Sequence, residues 1–380
     1  MTAAERYVRL GLQLGRLDDG VVDAYFGPPE LAAEVEAVPP HTLVATADAL
    51  LGELDDGWLR DQVAGLRTFA GVLAGESRSY ADEVEGCYGV RPVHTDEAVF
   101  AAAHERLADL LPGPGSPAER HERWKDAMLV PADRIEPTVA AVIAEARAQT
   151  CELVELPAGE GVDLEIVRDV PWLGYNFYLG DLRGRVAVNV DLPMSASELL
   201  HLAIHETYPG HQAERAGKEH LLVRGRGMIE ETLVLAPTPQ SLVSEGTGRL
   251  APQVLLDGPG AAAFAAIVRD EAGVAFDLAH ARAVERASEP CRWAEVNAAL
   301  MLHEHGADHA DVHAYLRRWG LMSDDLAAHL IRFITEPTSR TYVLNYPAGL
   351  ALCDSYVAGD PTRLRRLLTE QLRVSDLRAG

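Results

Sequence analysis

Apolar residues recur at helical spacing through most of the first 150 positions. Residues 3–16 place Ala, Tyr, Val and Leu on one face, and the same period returns over 41–54, 57–75, 96–111 and 132–149. Breakers separate these segments: Gly27, Pro28 and Pro29, then Pro39 and Pro40, then the Gly, Pro and Ser run over 113–117. The pattern changes near residue 152. Residues 163–170 and 175–190 turn β-like, and Gly180-Asp181 and Arg183-Gly184 supply turn chemistry for a hairpin. Helical spacing resumes over 195–216, 227–235, 239–256, 260–287, 291–305, 308–318, 323–334 and 360–372. There is no internal repeat and no low-complexity segment. The pattern predicts a mainly α chain with one small antiparallel or mixed β-sheet. It divides the chain into an N-terminal helical part, 1–150, and a second part, 151–380, that carries the sheet, unless the two form one integrated unit.

Composition narrows the function classes. The chain has 380 residues, 48% hydrophobic and 24% charged, which is ordinary for a globular protein and excludes collagen, coiled coil and wholesale disorder. The net charge of −24 repels phosphate backbones, and the one short basic patch, Arg224 and Arg226, is too small to reverse that, so no nucleic-acid partner is expected. The four cysteines, Cys87, Cys151, Cys291 and Cys353, form no C-x-x-C pair, which excludes a zinc ribbon and a thioredoxin motif and fits buried thiols in a reducing compartment. The first twenty residues lack the apolar stretch of a signal peptide, and no run of about 18 apolar residues offers a membrane span. The expectation is a soluble, cytoplasmic chain without a membrane partner.

Candidate chemistry concentrates in residues 198–214. His205 and Glu206 form a dipeptide that, on a helix, places a metal-binding imidazole beside a carboxylate able to take a proton from an attacking water. His211 follows six residues later. The dipeptide alone is weak, since it occurs four times, at 104, 121, 205 and 303. Context favours the copy at 205, which lies in a strongly apolar helix after an edge-strand candidate, Arg185–Val190. The copy at 303 is followed by Gly306 and Asp308, which read as the end of one helix and the N-cap of the next, so His303 and His309 belong to different helices.

The spacing of six is a difficulty. On an ideal helix it separates two side chains by about 240° and about 9 Å, too far for one metal. Pro209 and Gly210 break the ideal geometry. A bulge there returns His211 to the His205 face, whereas a simple helix end leaves His211 in a loop. His201 stands four residues before His205 and forms a competing pair. A zinc site of hydrolytic type needs a third protein ligand and one open position. Glu230, Glu231 and Glu245 are the acidic candidates, and residue chemistry alone divides evenly between Glu231 and Glu245. Gly246 and Gly248, after Glu245, permit close backbone packing. Tyr342, Tyr346 and Arg340 are candidate donors to a developing oxyanion. Pro347 reads as a break in helical pattern there, and Asn189 and Tyr178 are candidates to line a substrate strand.

His205-Glu206-Thr-Tyr-Pro-Gly-His211 with the later Glu245-Gly246 resembles the bacterial domain-of-unknown-function family 885, regarded as relatives of the gluzincin zinc metallopeptidases. The resemblance runs from about 170 to 356 and includes the Tyr-rich segment from Arg340 to Gly349; Asp23 to Pro28 is also similar to members of that family. It implies a zincin-like helical fold, Zn2+ as cofactor, His205, His211 and Glu245 as ligands, and Glu206 as general base. Two positions depart from the family pattern, Gln212 after the motif histidine and Thr247 after Glu-Gly. The implied activity is hydrolysis of short peptides or other small amides.

Other catalytic signatures are absent: there is no phosphate-binding loop, no dinucleotide fingerprint and no nucleophile elbow. A second class stays open, a non-catalytic helical protein that keeps the metal site as a structural or binding element. Only the hydrolase predicts turnover that requires Glu206.

Overall fold

Helices dominate the chain, with two small sheets among them. The computed structural model describes residues 1–170 and 172–379. Ala3–Gly15, Pro40–Glu53, Trp58–Leu73, Glu97–Leu110 and Ala132–Leu153 match the predicted N-terminal helices to within a few residues. Five described α-helices lack a predicted counterpart: Pro29–Ala33, Tyr80–Tyr88, Pro117–Asp126, Asn345–Val357 and Val374–Ala379. Pro117–Asp126 is too charged to show an apolar period. It is started by its cap, with Ser116 accepting from the Glu119 amide and Glu119 answering to Ser116.

The strands are β1 (Val22–Tyr25), β2 (Gly161–Val167), β3 (Gly174–Gly180), β4 (Arg183–Asn189) and β5 (Leu233–Leu235). The three-stranded sheet has the order β2-β4-β3, with β2 parallel and β3 antiparallel to β4. This corrects the edge-strand expectation for 185–190. β4 is the central strand, and Val186, Ala187 and Val188 are fully buried, as a continuous apolar run requires when both faces are covered. The hairpin turns through Asp181 and Leu182, both left-handed (φ 53° and 61°). Glu219 accepts from the Leu182 amide at 3.1 Å and helps hold this turn. A second sheet pairs β1 with β5. The helix expected over 227–235 is instead a tight turn, Ile229–Thr232, followed by β5. Strands of four and three residues are too short to show alternation.

The three largest hydrophobic clusters among the described residues hold these elements. Tyr7, Leu10 and Leu14 of the first helix pack with Leu43, Leu50, Leu66 and Phe69, and the same cluster takes in Leu233 and Leu235 of β5. Val186 and Val188 of β4 pack with Leu199, Leu200, Ala203 and Ile204, and with Val139 and Val142 of the long helix before the sheet. Leu242, Val243 and Leu250 join Leu344 and Leu350. Each core therefore draws on residues from both sides of position 150 or fixes an element that carries candidate chemistry. Among the described residues, no single helix is long and apolar enough to cross a membrane.

Candidate metal centre

The motif does not form one helix. The helix Ala196–Glu206 starts at Ser195, whose side chain and that of Glu198 cap each other's backbone amides. It stops at Glu206; the Tyr208–Pro209 peptide is cis, and a new helix, His211–Lys218, begins at His211. His211 is thus neither in a bulge nor in a loop. It is the first residue of a second helix whose direction returns the imidazole to His205. The two rings meet edge to face, with centroids 4.6 Å apart. Gly210 makes this turn possible, because a Cβ there would lie 1.9 Å from the His205 carbonyl oxygen.

Glu245 comes from the helix Pro239–Leu256, which has its predicted bounds. Its two oxygens lie 3.7 Å from His205 Nε2 and 3.7 Å from His211 Nε2. One ligand atom from each of the three residues falls within 4.8 Å of the others. The glycines after Glu245 have separate tasks. A Cβ on Gly246 would lie 2.3 Å from the Gly349 carbonyl oxygen, where the helix crosses Asn345–Val357; a Cβ on Gly248 would lie 2.9 to 3.2 Å from the His205 ring. Glu206 places Oε1 3.9 Å from His205 Nε2, beside the three ligand candidates.

Second contacts fix His211, Glu245 and Glu206. Ser244 donates to Glu214 Oε2 at 2.6 Å, so its oxygen is left to accept from His211 Nδ1 at 3.2 Å. This contact suits a proton on His211 Nδ1 and turns Nε2 toward Glu245, the arrangement common to metal-ligating histidines once a metal replaces the proton that Glu245 favours on Nε2. Lys218 closes the chain with an ion pair to Glu214 at 2.6 Å. The Tyr342 hydroxyl donates to Glu245 Oε1 at 2.8 Å. Asn176 of β3 donates to the Glu206 carbonyl at 2.7 Å and ties the end of the motif helix to the sheet. Removing the hydroxyl in Ser244→Ala is expected to weaken zinc binding about 10- to 100-fold, as losses around metal histidines do. Chelator competition measures this, and unchanged affinity would show that the relay plays no part.

The electrostatics suit a cation. Burial, helped by His211, pushes His205 down to about 3, so its imidazole is neutral. Burial pushes Glu245 up, but His211, His205 and the Tyr342 hydroxyl outweigh it and bring the carboxyl down to about 2. For His211, burial pulls down while Glu245 and Glu206 raise the value above its ordinary range. Burial, with Glu245 adding to it, raises Glu206 to about 7, against the pull of His211. The neutral His205 imidazole facing the ionised Glu245 is the state a metal ion takes up, and at His211 the ion would displace a proton. Glu245 Oε2 is buried without a hydrogen-bond partner, directed to within 3.7 Å of His205 Nε2. Such an orphan needs a partner, and a cation between the three groups is one. Two imidazole nitrogens and one carboxylate oxygen make the donor set of a hydrolytic zinc site with a fourth position open.

The other sequence candidates lie elsewhere or act differently. Glu231 is engaged by Gln371 at 2.8 Å and Gln240 at 3.2 Å, away from the histidines, and Glu230 faces Gln371. Arg340 is bound to Glu83 with Nε at 2.8 Å, so it is not a donor to this site. Tyr342 has its proton on Glu245. Tyr346, with its ring centroid 5.6 Å from that of Tyr342, makes no hydrogen bond to a described residue and stays available as a donor. Pro347 does not break the helix there: it sits in the first turn of Asn345–Val357, where its missing N–H is not needed. Asn189 spends its side chain on the carbonyls of Val170 and Trp172, and the Tyr178 hydroxyl donates to Glu219, so neither lines a substrate strand. His201 stacks on His205 at 6.0 Å without joining the cluster. His303 and His309 fall on separate helices, as their caps predict. The two departures from the family pattern both point away: Gln212 donates to the carbonyls of Gly161 and Leu182, and Thr247 to that of Val243.

Sequence reading missed Ser244, Glu214, Asn176, Tyr175 and Arg215 at this site. Only Glu214 and Arg215 carried a local signal, standing three and four residues after His211 on the same helical face. Asp23 of β1 belongs here as well and accepts from the Tyr175 hydroxyl at 3.2 Å.

No protein-family model matches the chain, and no curated protein matches it. Among solved structures it is similar to the crystal structure of a putative lipoprotein from Colwellia psychrerythraea, at a TM-score of 0.56 and 15% identity. The similarity covers 89% of this chain and 61% of that one, so this chain spans well under the full length of its structural neighbour. At that identity the likeness is one of fold.

Proposed function

We propose that this chain is a zinc-dependent hydrolase of gluzincin type, acting as a metallopeptidase on short peptides or other small amides. One observation carries the reading: His205, His211 and Glu245 bring three ligand atoms within 4.8 Å of one another, and an independent carboxylate, Glu206, stands at the edge of that cluster without being needed to complete it. Glu206 is a second buried carboxylate, held 3.9 Å from a ligand nitrogen, and burying one beyond the ligand set costs stability without serving a purely structural metal site. The resemblance of the motif to family 885 agrees with this reading.

His205, His211 and Glu245 would hold the ion. Bound zinc supplies Lewis acidity, polarising the scissile carbonyl and bringing the pKa of a coordinated water to about 7. Glu206 takes the proton of the attacking water and returns it to the leaving amine, the two tasks of one general base and acid. Tyr342 keeps Glu245 oriented, and Ser244 with Glu214 keeps His211 in the right tautomer. Tyr346 is the candidate donor to the developing oxyanion.

The test is zinc per chain, measured by elemental analysis in the purified protein and in His205→Ala, His211→Ala and Glu245→Ala, beside hydrolysis of a short-peptide library. About one zinc is expected in the wild type, lost in all three variants together with chelator-sensitive hydrolysis. A wild type that takes up no zinc on reconstitution overturns the reading. Zinc binding without turnover would leave the non-catalytic alternative.

A further inference from the structure

Arg215 stands four residues after His211 on the second motif helix, so its side chain and that of the ligand share a face about one turn apart. Its charge is felt at Glu206, His211, Asp23 and Tyr175, so the guanidinium lies within electrostatic reach of the candidate centre. It also borders a water-sized cavity of about 20 Å³ with Ser241, Glu214 and Glu231, and both of those carboxylates are held by other partners, Glu214 by Lys218 and Ser244 and Glu231 by Gln371 and Gln240. The residue is half-buried, and Nη1 is closed off from solvent with no hydrogen-bond partner.

This is unusual within the molecule. Arg78, Arg120, Arg185 and Arg249 also bury an unpartnered nitrogen, but each has another attachment: to Glu76, to the Leu111 carbonyl, to Glu165 and to Glu289. Arg215 makes no side-chain hydrogen bond or ion pair with any described residue. The chain has 58 acidic residues against 34 basic ones, so carboxylates for pairing are abundant. The nearby Lys218 is already paired with Glu214, and Asp23 accepts from the Tyr175 hydroxyl. A guanidinium fork left open and partly desolvated beside a hydrolytic centre is built for a planar anion.

We propose that Arg215 is the subsite for a carboxylate of the substrate, so that the amide cleaved is one residue away from a free carboxylate. The substrates are then peptides cut at their C-terminal bond, dipeptides, or N-acyl amino acids. The assignment rests on the hydrolase reading above and names its substrate class. The Cβ atoms of residues one helical turn apart are about 5 to 6 Å from each other, so an arginine and a ligand histidine so placed can both reach a substrate group one peptide residue long. One water is consumed: its oxygen joins the acyl carbon, the carbon–nitrogen bond breaks, and the proton carried by Glu206 goes to the leaving amine. That amine keeps its own carboxylate on Arg215.

The experiment compares a blocked dipeptide, N-acetyl-alanyl-phenylalanine, with its C-terminal amide. Both are assayed for turnover by the zinc-loaded chain and for binding to Glu206→Gln by calorimetry. The acid is expected to exceed the amide by about 30- to 100-fold in kcat/KM and in affinity, the usual worth of a charge-assisted pair. Arg215→Met should collapse that ratio to within about threefold with zinc content unchanged, and Arg215→Lys should restore part of it. Equal turnover and equal binding of acid and amide by the unmutated site overturn the assignment. So does an Arg215→Met variant that slows both substrates alike, since the charge would then act only on Glu206. Turnover of neither compound, with the acid still bound more tightly and Arg215 still required, would retain the anion subsite while the hydrolase reading fails.

Discussion

Replacing Glu206 by Gln should lower kcat/KM by about a thousandfold or more while zinc remains at the wild-type level. General acid–base catalysis contributes typically about 10²- to 10⁴-fold, and no other described carboxylate is placed to substitute. Glu245 already faces both histidines and is fixed by Tyr342. Gln keeps the shape of Glu206, and the Asn176 hydrogen bond goes to its backbone carbonyl, so the helix end is not disturbed. With zinc removed from both proteins, the variant should be at least as heat-stable as the wild type at pH 8. The sign follows from the carboxyl group that burial raises to about 7. Its folded-state value exceeds that in the unfolded chain, so wild-type stability falls as pH rises through that window, and the amide removes the ionisation. Peptide hydrolysis and elemental analysis on the same preparation settle the matter. Activity within tenfold of wild type would remove Glu206 from the mechanism, and loss of zinc would make it a ligand.

Much of this arrangement was legible along the chain, and the reasons for the rest are specific. The helix Pro239–Leu256 was readable to the residue because Thr238 and Pro239 mark its start and Asp257-Gly258 its end. The spacing of Glu245 to Gly246 and Gly248 announced tight packing, although not that one glycine meets Gly349 and the other seats the His205 ring. What lay hidden is long-range pairing. Arg340 looked available until Glu83, 257 residues away, engaged it; Tyr342 reaches Glu245 across 97 positions. No local pattern encodes such partners. The order of the sheet was hidden for a related reason. Residues 183–189 carry an apolar run that fits a strand, but its central place is decided by β2 and β3 packing on either side. The motif itself was readable as chemistry and ambiguous as shape. A proline and a glycine permit a bulge, a loop or a helix restart, and the choice depends on how closely residue 210 approaches the previous helix.

That approach yields the second large effect. Gly210→Ala should destabilise the fold by about 3 kcal/mol or more and abolish stoichiometric zinc binding. The added Cβ would stand 1.9 Å from the His205 carbonyl oxygen and 2.7 Å from that of Ile204, both backbone atoms that no rotamer change can move. Overpacking a closed interior costs about 1–3 kcal/mol where side chains yield, and here they cannot. For a chain of this length that is a fall of roughly 4 °C in Tm. Relief would have to come from separating the ends of the two motif helices, which carry one histidine ligand each, so metal affinity drops with stability. Gly248→Ala supplies the contrast. Its Cβ meets only the His205 ring, at 2.9 to 3.2 Å, and a side chain can shift by a few tenths of an ångström. This variant should keep most of its stability and lose affinity for zinc instead. Thermal unfolding of both metal-free variants, followed by zinc titration, separates the two effects. A Gly210→Ala protein with wild-type Tm and one tightly bound zinc would show that the turn between His205 and His211 is not what brings the ligands together.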